Sequence, residues 1–167
     1  MKIIQIKLKG SVAYSHLHAA KADKFGTKKV HLSIDMGADI YNATMTHLTS
    51  VEGINTDDFY FPSKEQPDGS FRIYMDMPIK GRKKDGSTFI RSFKVLDING
   101  DAINPADIGK ESEVTVSAQL MVYDFTNDKG EAVRTIKIYP KVIEISSLVK
   151  PKSTGAIILD DEEESEF

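Results

Sequence analysis

Between Ile79 and Lys94 the chain reads IKGRKKDGSTFIRSFK. Lys80, Arg82, Lys83 and Lys84 crowd the approach to a tight Asp-Gly turn, and Arg91 and Lys94 return beyond it. Cationic side chains of this density can track a line of phosphates. The interleaved Phe89 and Phe93 could stack bases at about 1–3 kcal/mol each. Both rings share a strand face with Arg91, so they either stack bases or belong to the core. A second aromatic pair closes VTVSAQLMVYDF, where Tyr123 and Phe125 fall opposite the apolar face of their strand. Two outward rings in that register make either a stacking platform or the cover of a loop. Arg134, Lys137 and Lys141 on the following strand either line the same surface or are ordinary exposed strand charges, with Tyr14, Tyr74 and Tyr139 as weaker aromatic candidates.

Catalytic chemistry finds little to work with. His16 and His18 form one His-x-His pair, but two nitrogens need a third ligand at a workable spacing, and neither His31 nor His47 supplies it. There is no phosphate-cradling glycine loop and no nucleophile elbow. DINGD (97–101) opens like a calcium loop, yet Gly100 comes two residues early and no Glu closes it; a turn accounts for it better. No cofactor is called for.

The charge is split along the chain. Asp160, Asp161, Glu162, Glu163, Glu164 and Glu166 precede a terminal Phe167. Removing those six from the 25 acids leaves 19 against 22 bases, so the formal −3 divides into a +3 body and an acidic end. A basic body with an acidic end is the asymmetry expected of nucleic-acid interaction. Cysteine is absent, which suits a reducing cytoplasm. No stretch approaches a membrane span or a signal-peptide core.

The elements that must position these groups are mostly strands. Phe71, Ile73, Met75, Met77 and Ile79 alternate with polar neighbours, as do Val114, Val116, Ala118, Leu120 and Val122. KVHLSIDM (29–36), STFIRSFKVLD (87–97) and the run from Val133 repeat the period of two. KKDGS (83–87) and NDKGE (127–131) read as hairpin tips, and YFPSKEQPDGS (60–70) as a loop. A single helix is expected over 37–53, with Ile40, Met45, Leu48 and Val51 as its apolar stripe and Gly53 as its stop. The expected architecture is all-β with one short helix, a five- to six-stranded antiparallel barrel over 1–149. Residues 150–167 are read as a flexible acidic arm. The OB-fold is one of the small barrels that fit.

These parts, in this order, resemble the replication single-stranded DNA-binding proteins of tailed bacteriophages. The resemblance runs over GSVAYSHLHAAKADKFGTKKVHLSIDM (10–36) and 68–149, and includes VLDINGD ahead of the VYDF strand and the acidic end closed by Phe. The helical insertion is shorter than that family carries. The resemblance implies an OB-fold that coats single-stranded DNA in replication and recombination, in the cytoplasm of an infected bacterial host. It implies that the acidic end docks on a DNA polymerase and a helicase–primase and competes with DNA for the groove. Phe167 matches the family's terminal aromatic, and Tyr123 and Phe125 match its aromatic strand end. Arg82, Lys83 and Lys84 match as a basic hairpin. The sequence leaves monomer and homodimer both open.

Overall fold

The computed structural model describes residues 2–151. Its frame is one long strand, β1 (Lys2–Ala22), which serves two partners. From Lys2 to Ser11 it pairs antiparallel with β8 (Glu113–Thr126), and from Ser11 onward with β2 (Lys28–Met36). Gly10 stands at the handover. A Cβ there would come within 3.1 Å of the Asp35 carbonyl carbon, so only glycine lets the two backbones approach this closely.

β2 continues antiparallel to β4 (Phe71–Pro78), and β4 to the short β3 (Ser63–Glu65). On the other side β8 pairs along its length with β9 (Ala132–Ser147), which also carries β7 (Lys94–Asp97). The result is an open seven-stranded sheet in the order β3-β4-β2-β1-β8-β9-β7. A separate hairpin joins β5 (Lys80–Arg82) to β6 (Thr88–Ile90).

Tyr60 stitches the two sides of the curled sheet together. Its amide donates to Arg134 O (3.0 Å), and Ile136 N donates to its carbonyl (2.9 Å). Two residues later Pro62 O accepts from Tyr74 N (2.9 Å), so one short segment is bonded to both β9 and β4.

The alternation predicted from sequence places the core. Val114, Val116, Ala118, Leu120 and Val122 are buried, as are Ile73, Met75, Met77, Leu32, Ile34, Ile136 and Ile138. Met121, expected on the outer face, is covered as well. The helix α1 spans Ala38–Ser50, and Gly53 at φ +72 follows it as expected. Of its stripe, Leu48 is fully buried, whereas Ile40 and Val51 stay exposed.

Four details differ from expectation. The strand count is higher, because β3, β5, β6 and β7 span only three or four residues each, too few for a period of two to register. Residues 87–97 are two strands rather than one, since Arg91 N turns aside to donate to Ile79 O (2.7 Å). And β7 runs parallel to β9, so the sheet is not wholly antiparallel. The YFPSKEQPDGS loop also proves to contain β3.

At the far end of the described chain, Gly109 N donates to Val149 O (2.6 Å), and Ser112 Oγ bonds both Val149 O (3.0 Å) and Val149 N (2.9 Å). The chain therefore leaves the sheet at a defined point. The acidic end, from Asp160 to Phe167, lies outside the described residues.

Candidate nucleic-acid interface

A groove of about 270 Å³ lies where β4 faces β9. With Ile73, Met75 and Met77 committed to the core, strand geometry turns Tyr74 and Asp76 outward. Lys137 lines the opposite wall, between the buried Ile136 and Ile138. Tyr60, 67% exposed, and Lys29 complete the lining.

Two of the groove's charges are already engaged. Lys29 pairs with Asp23 at 3.3 Å, and Asp76 accepts from His31. Lys137 has no acidic partner within 4.0 Å among the described residues; its ammonium stands 5.8 Å from the centre of the Tyr123 ring. The groove thus presents an uncompensated cation beside tyrosine rings, the combination a flexible polyanion with stackable bases requires.

From Lys137 an aromatic band continues along β9 to the basic hairpin. Register places Tyr123 opposite Thr135, Met121 opposite Lys137 and Gln119 opposite Tyr139, so Tyr123, Lys137 and Tyr139 share a face. Tyr139 is buried, and burial together with the neighbouring Tyr123 raises its hydroxyl above the usual phenol range. The Arg91 guanidinium lies 4.9 Å from the Tyr139 ring and 5.0 Å from the Phe89 ring. It also donates to Pro78 O (3.1 Å) and Lys80 O (3.2 Å). Arg91 is therefore a brace that fastens the hairpin to β9, with its Nη1 donating to two backbone carbonyls and its guanidinium set between two rings.

Gly81 makes room for that brace. A Cβ there would sit 2.6 Å from Phe89 Cε1 and 2.9 Å from Arg91 Cζ, both at the movable ends of side chains. Gly81→Ala is expected to leave the fold intact while pushing both groups aside. Each cation–π contact is worth about 0.5–1 kcal/mol. Loss of both should speed amide exchange in the 80–90 hairpin about five- to thirtyfold. Exchange at the native rate would mean that the hairpin is held by something else.

The other predicted residues fall into distinct places. Lys80, Arg82, Lys83 and Lys84 are all exposed on the hairpin. Asp85 makes no ion pair with any of them within 4.0 Å; its carboxylate accepts from Ser87 Oγ (2.6 Å) and Ser87 N (2.9 Å), which hold it below the usual carboxylate range. Phe125 is 52% exposed and Tyr123 half-buried, on the outer face as expected. Arg134 is a correction. It is three residues from Lys137, an odd step along a strand, so it faces the opposite side, where it pairs with Asp124 at 3.2 Å. Tyr139, a weaker candidate for stacking, is a buried wall. Phe89 keeps an exposed edge, whereas Phe93 packs against the core.

Sequence reading missed Tyr60, Lys29 and the tip of the β1–β2 hairpin. Phe25 at that tip is 81% exposed, with Lys24 Nζ 5.0 Å from its ring centre. The signal was present in KADKFGTKK (21–29), which repeats the pattern of cations around a glycine turn seen at the other hairpin. Tyr60 carried no such signal, since it sits in a stretch without periodicity.

Sheet, helix and hairpins together define an OB-like fold, whose oligonucleotide-binding members use the outer face of the second and third barrel strands and the loops beside it. No family model matches the chain, and no curated protein matches it in sequence. Solved structures do match in fold. The single-stranded DNA-binding protein gp2.5 of bacteriophage T7 is 16% identical, with 92% of this chain and 90% of that one covered at a TM-score of 0.58. A C-terminal truncation of the single-stranded DNA-binding protein of bacteriophage Enc34 is 14% identical, over 89% and 88%, with a TM-score of 0.59. The Enc34 protein in complex with single-stranded DNA matches over 89% of each chain at 0.55.

Proposed function

We propose that this chain binds single-stranded DNA without sequence preference, as a coating protein rather than an enzyme. The observation that carries the reading is the β4–β9 groove, which Lys137, without an ion-pair partner among the described residues, lines together with Tyr60 and Tyr74, the Tyr123 ring centre standing 5.8 Å from its ammonium. Every base has a face to stack and every nucleotide a phosphate, so such a groove holds a strand without reading its edges. Structural similarity to the Enc34 protein, solved with single-stranded DNA, supports the reading. A fluorescence titration with oligothymidine, a mixed-sequence strand and a matched duplex tests it. The two strands should bind alike, with affinity falling as salt rises at a log–log slope of about −0.7 per phosphate neutralised. Preference for the duplex, or no binding, would overturn it.

The finer reading places the protein in bacteriophage DNA replication and recombination, in the cytoplasm of an infected bacterial host. Residues 1–149 are the binding domain. Residues 150–167 are an acidic arm that contacts replication proteins such as a polymerase or helicase–primase. Its six acids imitate the charge of a DNA backbone and compete for the cationic surface. Deleting 160–167 should tighten oligonucleotide binding at low salt, with a gain that fades as screening grows. Phe167→Ala keeps the charge, so DNA affinity should hold while partner binding weakens by about 2 kcal/mol, the loss of an aromatic anchor. Unchanged DNA affinity and partner capture in both variants would reduce the segment to a solubility device.

A further inference from the structure

We propose that the bound strand does not end in the β4–β9 groove but turns at Pro78 into a second, cationic cleft between the β1–β2 tip and the β5–β6 hairpin. The proposal rests on the single-strand reading above. This cleft, of about 550 Å³, is roughly twice the groove's size. Lys28, Lys80 and Arg82 line it, with Ile90 as an exposed apolar wall.

The two depressions share a border of consecutive residues. Lys29 lines the groove and Lys28 the cleft; Pro78 lines the groove and Ile79 the cleft. Ile79 N donates to Lys28 O (3.1 Å), which locks that border in place. A chain leaving the groove past Pro78 therefore has only the edge formed by Lys28–Lys29 and Pro78–Ile79 to turn over before it reaches the cleft.

The cleft's chemistry suits the same ligand. Lys28, Lys80 and Arg82 are exposed and make no ion pair within 4.0 Å among the described residues. The nearby acids are engaged by their own turns and by Lys29. Asp23 accepts from Phe25 N (2.8 Å) and Thr27 N (3.0 Å) and pairs with Lys29; Asp85 caps its own turn. Gly26, with nothing within 4 Å of where a side chain would stand, leaves open backbone to which a phosphate can approach closely. Beside Gly26, Phe25 offers a free ring face to a base.

Consequently the hairpin cations should act only on strands long enough to fill the groove and continue. The test compares full-length native protein with a Lys28→Ala, Lys80→Ala, Arg82→Ala triple variant, using oligothymidines of about 5 and about 16 nucleotides, the span of known OB-fold site sizes. The triple variant should match the native protein on the short strand. On the long strand it should lose tenfold or more at about 50 mM salt, with a log–log slope shallower by about two, as three cations at ~0.7 each require. Lys137→Ala, in the groove, should weaken both lengths. Equal loss on both lengths, or no loss on either, overturns the continued path while leaving single-strand binding standing. Native protein that binds neither oligomer overturns the single-strand reading itself. All three substituted side chains are exposed, so melting temperatures should coincide, and the comparison is made per folded molecule.

Discussion

Replacing Tyr60 and Tyr74 together by alanine is expected to lower the affinity for oligothymidine by about 2–6 kcal/mol, the sum of two base-stacking contacts at ~1–3 each. Both rings line the groove, and neither supports the fold through its ring. Tyr60 is 67% exposed and holds β9 through its backbone, which alanine retains; Tyr74 lies on the outer face of β4. The loss should be nearly independent of salt, because no charge is removed, whereas Lys137→Ala should flatten the salt slope by about 0.7. That contrast separates stacking from counterion release in a single pair of titrations. If the double variant binds as tightly as the native protein, the groove is not where bases sit, and the candidate site must move to the Tyr123–Phe125 strand end.

Leu48→Ala should produce the largest loss of stability, about 2–5 kcal/mol, the range for removing a large buried aliphatic side chain. Leu48 has no exposed surface and is the only fully buried side chain of α1, which otherwise shows solvent its Ile40 and an N-terminus without a side-chain cap. Tyr41 and Met45 also pack against the core, Tyr41 with its ring stacked on Phe71 (3.8 Å between centres) and its hydroxyl bonded to Ser63 Oγ (2.9 Å), but Leu48 alone is sealed from solvent. For a chain of this size each kcal/mol lowers the melting temperature by about 2–4 °C. The oligonucleotide affinity of molecules still folded should not change, since no residue of α1 lines the groove. Ile40→Ala, on the exposed side, serves as the control and should cost a fraction of that amount. Equal losses at the two positions would mean that the helix is anchored along its length.

Much of the site was legible before any coordinates. The phase of the 113–126 strand put Tyr123 and Phe125 outward, and the Asp-Gly and Lys-Gly turns marked both hairpin tips where they occur. The same logic, applied with the right step, would have separated Arg134 from Lys137; the error came from treating nearby cations as one surface. Lys80, Arg82, Lys83 and Lys84 were recognisable because uncompensated charge is visible in composition alone. Arg91 carried the same signal, but its contacts with Tyr139, Phe89 and two carbonyls turned it from a free cation into a brace.

By itself the sequence determined which face of β4 and β8 enters the core, where the β5–β6 and β8–β9 hairpins turn, and that the body is basic while its end is acidic. Those properties are local: alternation has a period of two residues, a turn needs a glycine at one position, and charge is counted without knowing where anything sits. The tertiary structure alone decided which strands are neighbours. Tyr60 and Thr135 bridge across a long stretch of sequence, and nothing in either segment announces the other. That bridge, with β3 on β4, creates the wall of the groove and brings Tyr60, Tyr74 and Lys137 together. Side-chain period sets direction relative to a sheet, but a groove between strands depends on how the sheet curls, and curling is a property of the whole set of pairings.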